Sequence, residues 1–200
     1  MNNKGVIESV EDLKRRIDIT RRARFACSTR LRKYFNRIQN LIVYYNILVV
    51  FVSIITLYRS YSNEADWTTH LTLALSITLS FFATYIGGKN YNEKAIKMEH
   101  NGHDLSKIYG KIIMLQSTQP IPITDISKLY KEYERTLINV ENHENVDYLN
   151  AKNIKEPLTE QELLKVRKYD RVTAMKFGLA YVIPALIAIG TLIIPLTSFN

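Results

Sequence analysis

Residues 41–58 and 71–88 form two uncharged runs, separated by a twelve-residue polar connection and preceded by a dense arginine cluster. Each run is 18 residues long. At 1.5 Å rise per residue that is about 27 Å of helix, close to the roughly 30 Å hydrocarbon core of a bilayer. A core helix of a soluble protein keeps charged residues on an outer face, and neither run has one in about five turns. The pattern therefore predicts a membrane helical hairpin. A third uncharged run, residues 177–196, is 20 residues long and contains Pro184, Gly190 and Pro195. Transmembrane helices tolerate proline and glycine better than soluble ones do. The expected fold class is an all-α membrane protein: a transmembrane hairpin extended by long cytoplasmic helices, with a third, C-terminal transmembrane helix.

The polar flanks carry their own periodicity. From Val10, positions Leu13, Ile17, Thr20, Arg24, Cys27, Leu31, Tyr34 and Ile38 advance by alternating threes and fours, a heptad seam leading directly into the first run. Tyr91, Ala95, Met98, Gly102, Leu105, Tyr109 and Ile112 repeat these steps after the second. Two such helices can bury their seams on each other or on further copies of the chain. Pro120 and Pro122 interrupt the second pattern. A new helix is predicted from about Thr124 or Asp125, with Ile126, Tyr130, Tyr133, Leu137 and Val140 on one face. Residues 142–157 read as a polar loop. Thr159 and Glu162 form a capping-box pattern opening the helix that leads to the third run. No alternating strand pattern of useful length is present.

Charge orients this arrangement. Between Lys14 and Arg37 there are ten Lys or Arg and one acid, Asp18, so the positive-inside rule places the N-terminus in the cytoplasm. The expected division is a basic cytoplasmic helix at 1–39, spans at 40–59 and 71–88, and an external loop at 60–70. A cytoplasmic helical region at 89–176 and the third span at 177–197 complete it. Of the net charge of +8, the first 40 residues supply 11 basic and 4 acidic groups. Such an excess serves equally as a topogenic signal in contact with anionic lipid or as a nucleic-acid or nucleotide site. The first apolar run begins too late for a signal peptide, and the single cysteine, Cys27, excludes an intramolecular disulfide framework.

Catalytic chemistry is not evident. His100 and His103 stand beside Glu99 and Asp104, but no further Cys or His falls at ligand spacing, so a solvated face is favoured over a metal site. Gly87, Gly88 and Gly102 form neither a P-loop nor a dinucleotide fingerprint. No enzyme activity, cofactor or metal is expected. The informative polar residues lie within the spans. Thr72, Ser76, Ser80, Ala83 and Gly87, with Thr84 beside them, fall in one broad stripe of the second run, and Asn46 and Ser53 share a face of the first. Small residues allow close helix approach, so these positions form a candidate assembly face. Ordinary helix packing and a water-facing surface in an oligomer are both compatible with it. Arg24 occupies a seam position, where a polar residue fixes register or snorkels to the edge.

The stretch Arg16-Ile17-Asp18-Ile19-Thr20-Arg21-Arg22-Ala23-Arg24-Phe25-Ala26, two spans, then Tyr91-Asn92-Glu93-Lys94-Ala95 with Gly102 and Leu105 resembles the SLATT family. Those are two-transmembrane effectors of bacterial conflict systems. The resemblance covers about residues 10–115, and the third apolar run departs from the two-span pattern; a branch encoded beside reverse transcriptases is similar in this respect. The resemblance implies a membrane effector held silent until a partner or nucleotide signal reports infection, which then oligomerises and permeabilises the inner membrane. Arg16, Thr20, Arg21 and Arg24 are the candidate cytoplasmic assembly or signal region. The partners implied are the lipid bilayer, further copies of the chain, and a signal-producing enzyme or reverse transcriptase, with a small nucleotide or nucleic acid as trigger. The alternative is a membrane-anchored adaptor that recruits a nucleic acid or nucleotide-signalling enzyme without forming a pore. A transporter subunit fits less well, because no span carries a charge.

Overall fold

A computed structural model of the chain describes residues 3–61, 67–118, 121–138 and 140–197, with the backbone alone at residues 3, 4, 58–61, 67, 68, 71 and 191–197. Among the described residues there are six helices and no strand: α1 (Asn3–Tyr61), α2 (Trp67–Gly88), α3 (Tyr91–Ser117), α4 (Ile123–Ile138), α5 (Asn145–Lys152) and α6 (Glu160–Thr197). The chain divides into two compact units, Met1–Lys33 with Tyr91–Tyr169, and Tyr34–Asn90 with Asp170–Asn200. Residues 62–66 of the predicted external loop, and Pro120, lie outside the described residues.

The first unit is built on the two seams. Leu13 and Ile17 of α1 are buried with Leu105, Ile108 and Ile112 of α3. One stretch further along, Cys27 and Leu31 are buried with Ala95 and Met98. The seams therefore close on each other within the chain, settling one of the two arrangements that the periodicity left open. Level with Arg24, the helices approach so closely that a Cβ on Gly102 would lie 3.0 Å from the Phe25 ring. Helix α4 begins with Asp125 N–H donating to Pro122 C=O (3.1 Å). It then buries Ile126 and Leu129 against the α1–α3 pair, with Tyr130 and Tyr133 alongside.

The stretch read as a polar loop contains α5. Glu144 and Asp147 exchange side-chain and backbone bonds in a capping box, and Val146, Leu149 and Ala151 are buried. An eight-residue helix has too few turns to show a periodicity. The capping box predicted for α6 is present: Thr159 N–H donates to Glu162 Oε2 (3.0 Å) and Glu162 N–H to Thr159 Oγ1 (3.4 Å). The Lys152 ammonium, which bonds the Glu162 carboxylate, and after it the Thr159 N–H pull the pKa of that carboxyl down to about 2.

The second unit contains the apolar parts of α1, α2 and α6. Within Gly5–Leu57 of α1 and Glu160–Gly190 of α6 lie 18-residue windows apolar enough to cross a membrane, of which only 17% and 6% is buried in the chain. A soluble core helix would be mostly covered; these present Val43, Ile47, Val50, Ile54, Leu179, Val182 and Leu186 outward. Helix α2 is likewise apolar, with Leu73, Ile77 and Phe81 exposed. Past its end stands Asn90, whose φ of 49° is left-handed, a conformation that asparagine tolerates better than most residues.

One bond between α1 and α6 falls on a carbonyl that a proline leaves without its helical donor. Pro184 has no N–H, so the carbonyl four residues earlier, on Ala180, loses its helical donor. The Tyr45 hydroxyl of α1 donates to that oxygen at 2.7 Å, and the Tyr44 hydroxyl donates to Tyr181 C=O at 3.0 Å.

Candidate functional site

The basic segment of α1 is woven into the first unit more tightly than its polarity suggests. Arg16 remains exposed and pairs with Asp12 (2.7 Å) on its own helix. Thr20 meets the Tyr133 hydroxyl of α4 at 3.1 Å. Arg21 donates to Asp18 (2.8 Å) and lies over the Tyr109 ring of α3, 4.6 Å from its centroid. Arg24 is 1% exposed. One of its terminal nitrogens donates to Met98 Sδ at 3.3 Å and to the Glu141 carbonyl beyond α4, while its Nε has no partner. Burial holds its guanidinium below the ordinary arginine pKa, although Cys27 and Tyr133 oppose the shift. Snorkelling is thereby excluded for Arg24. Thr20, Arg21 and Arg24 join α1 to α3 and α4; Arg16 does not.

Two buried acids, Asp18 and Asp147, gather Arg21, Arg22 and Arg30. Asp18 is buried and receives Arg21, Arg22 and Lys155. Burial alone would raise its pKa, but Lys155 and Arg22 bring it below the usual carboxylate value. Asp147, fully buried on α5, accepts two bonds from Arg30, Nε to Oδ1 at 2.8 Å and a terminal nitrogen to Oδ2 at 3.0 Å. Arg30 also reaches Glu144 (3.0 Å) and the Tyr169 hydroxyl (3.2 Å). Burial disfavours the Arg30 charge, yet the bonds to Asp147 raise its pKa. Beside this pair, burial pushes the Cys27 thiol up to about 12. Asp147 was missed in the sequence because its partner is 117 residues away; its only local signal was the spacing to Glu144.

A charged cleft of about 810 Å³ opens beside Asp18. Lys14, Arg15, Arg22, Lys152 and Lys155 line it together with Glu11, Asp12, Asp18, Glu156, Tyr109 and Tyr148. His103 packs edge-on against Phe25, ring centroids 5.2 Å apart, and His100 is exposed.

In the second unit the predicted assembly face is split. At about 100° per residue, Thr72, Ala83 and Ser76 fall within about 40° of one another, with Gly87 and Ser80 about 60–80° round from Thr72. The first three are half-buried; Ser80, Thr84 and Gly87 are exposed. Thr72 meets Thr56 of α1 at 3.3 Å, hydroxyl to hydroxyl, and Ser76 bonds back to Thr72 C=O at 2.8 Å. Nothing lies within 4 Å of a Cβ built on Gly87. Ser53 is half-buried and Asn46 exposed, each returning its side chain to its own helix. One margin of the stripe thus packs α1 on α2, and the other is left uncovered.

The model of the SMODS and SLOG-associating 2TM effector domain family 5 matches residues 7–197. The chain belongs to this family. The match runs through all six helices, so the third apolar run is part of the SLATT family 5 pattern rather than an appendage to it. Apolar helices with largely uncovered outer faces accord with membership of a two-transmembrane effector family. The chain is an all-α membrane protein of the SLATT effector class. No curated protein and no solved structure matches it.

Proposed function

We propose that the chain is a non-enzymatic effector of a bacterial antiphage, abortive-infection system. It resides in the inner membrane with its N-terminus in the cytoplasm, and on receiving a signal it assembles with copies of itself and permeabilises the bilayer. The observation carrying this reading is the uncovered polar margin within the spans. Asn46, Ser80, Thr84 and Gly87 are exposed among outward apolar residues such as Val43, Ile47, Val50, Leu73, Ile77 and Phe81. A polar group at membrane depth is costly unless it meets another polar surface, and an unoccupied glycine face lets a second helix approach closely. The charged cleft and the arginine network of the first unit are where a small nucleotide, nucleic acid, signal-producing enzyme or reverse transcriptase would act.

Dye release from liposomes tests the reading. Wild-type protein at a high protein-to-lipid ratio, where mass action drives assembly without the signal, is expected to release the dye, and Ser80→Leu with Gly87→Leu to abolish release while leaving insertion intact. Release unchanged in that variant would remove this margin from the mechanism. The adaptor reading draws on the cleft, where five cations interleaved with four acids, and two tyrosines, offer a polar surface to a partner. A membrane that stays polarised throughout an active defence response would favour it over permeabilisation.

A further inference from the structure

An apolar crevice of about 290 Å³ lies among α1, α2 and α6 of the second unit. It sits where Tyr45 reaches to Ala180 in place of the bond that Pro184 cannot make. Val49, Val52, Leu75, Leu79, Phe82 and Ala188 line it, and exposed Thr78 stands at its rim. Its polar side-chain atoms are already engaged: Tyr45 Oη with Ala180 C=O, and Thr78 Oγ1 with Ala74 C=O at 2.8 Å. Such a space offers water no partners. A dry apolar cavity of about 150 Å³ already holds benzene, and this one is larger and opens at the surface of helices that face hydrocarbon.

The charges indicate which hydrocarbon. Tyr45 packs against Phe82, ring centroids 6.0 Å apart, and donates to Ala180 C=O, which brings α2 and α6 beside α1 at the crevice. From that level each helix carries a cation in the same direction. Arg37 precedes Tyr45, Lys176 precedes Pro184, and Lys89 follows Phe82 on the antiparallel α2. At 1.5 Å per residue these lie roughly 10–12 Å along their helices from the crevice. Arg37 lies over the Phe177 ring (5.6 Å) and Lys89 over the Tyr85 ring (4.9 Å), and Lys176 is exposed.

We propose that the crevice takes one acyl chain of an anionic phospholipid whose phosphate is held by Arg37, Lys89 and Lys176. The site rests on the membrane reading but not on pore formation. Headgroup charge selects the lipid, and the chain fills the gap beside the proline, where α6 depends on a hydroxyl of α1. Phosphate recognition by cations on separate helices, with the chain buried beyond them, makes the lipid a link between all three.

Native mass spectrometry of the full chain in detergent, titrated with phosphatidylglycerol or phosphatidylcholine, tests the site. The expected result is one phosphatidylglycerol retained per chain, several-fold in preference to phosphatidylcholine. That preference should be lost in Arg37→Gln/Lys89→Gln/Lys176→Gln, and retention lost in Leu79→Trp, which fills the crevice. Equal retention of the two lipids, or undiminished retention in either variant, would overturn the proposal. If Leu79→Trp does not fold, the charge variant decides alone. Dye release is measured on the same proteins: a chain that permeabilises liposomes yet binds both lipids alike loses the site and keeps the effector reading. A chain with the lipid preference but no dye release loses the effector reading and keeps the site.

Discussion

Arg24 is the residue whose position is hardest to justify by stability. The seam positions on either side of it, Ile17, Thr20, Cys27 and Leu31, are apolar or small. Yet an arginine is driven into the core with no carboxylate and with one nitrogen unbonded. An unsatisfied buried donor costs about 1–3 kcal/mol, and replacing buried ionic groups by apolar ones of similar volume is often stabilising. Arg24→Met is therefore expected to stabilise the chain by about 1–3 kcal/mol, read as a rise in the thermal unfolding midpoint of the full protein in detergent. A fall would show that the bonds to Met98 and the Glu141 carbonyl outweigh the burial. If the stabilised variant also loses dye release, Arg24 serves activation rather than folding. The sequence marked Arg24 as anomalous from its seam position alone. It could not show whether the charge reached water, because that depends on α4 and the segment after it covering the seam.

At the scale of elements, the long helices were legible wherever burial repeats. Leu13, Ile17, Leu105 and Ile112 are all nearly inaccessible, as threes and fours along two neighbouring helices require. What was not legible rests on single, distant pairings: α5 with its Asp147–Arg30 pair, and the division of the α2 stripe between a packed and an open margin. The α1–α6 junction belongs to the same class, since nothing local to Pro184 announces that a tyrosine 139 positions earlier completes its helix. If Tyr45 substitutes for the missing proline bond, its value should depend on the proline. Tyr45→Phe is expected to destabilise the wild-type chain by about 1 kcal/mol, within the range measured for hydrogen bonds between membrane helices. In a Pro184→Ala background, where the restored backbone N–H can donate to Ala180 C=O, the same change should cost much less. A double-mutant cycle on unfolding in detergent reads the coupling; equal costs in both backgrounds would reduce the tyrosine to ordinary packing.

For the molecule as a whole, closing the seams inside the chain constrains how copies can meet. The α1 and α3 seams carry the strongest sequence pattern for association, but they are consumed within the first unit. The membrane-facing surface of the second unit stays uncovered, with Asn46, Ser80 and Gly87 among its apolar residues. Assembly through this surface and assembly through opened seams make opposite predictions for cysteine chemistry. Cys27 lies in the α1 seam, buried, with its thiol pushed up to about 12, and a thiol so protonated is a poor nucleophile. The native protein, inserted in liposomes and treated with a mild oxidant, is therefore expected to remain uncrosslinked. In a Cys27→Ala background, Gly87→Cys or Asn46→Cys should yield covalent dimers, because both positions are exposed and neither side chain is engaged by another helix of its own chain. Dimers through Cys27 during permeabilisation, with none through the new cysteines, would mean that the seams open and exchange between copies. The first unit would then be the assembling part, and the membrane helices would follow it.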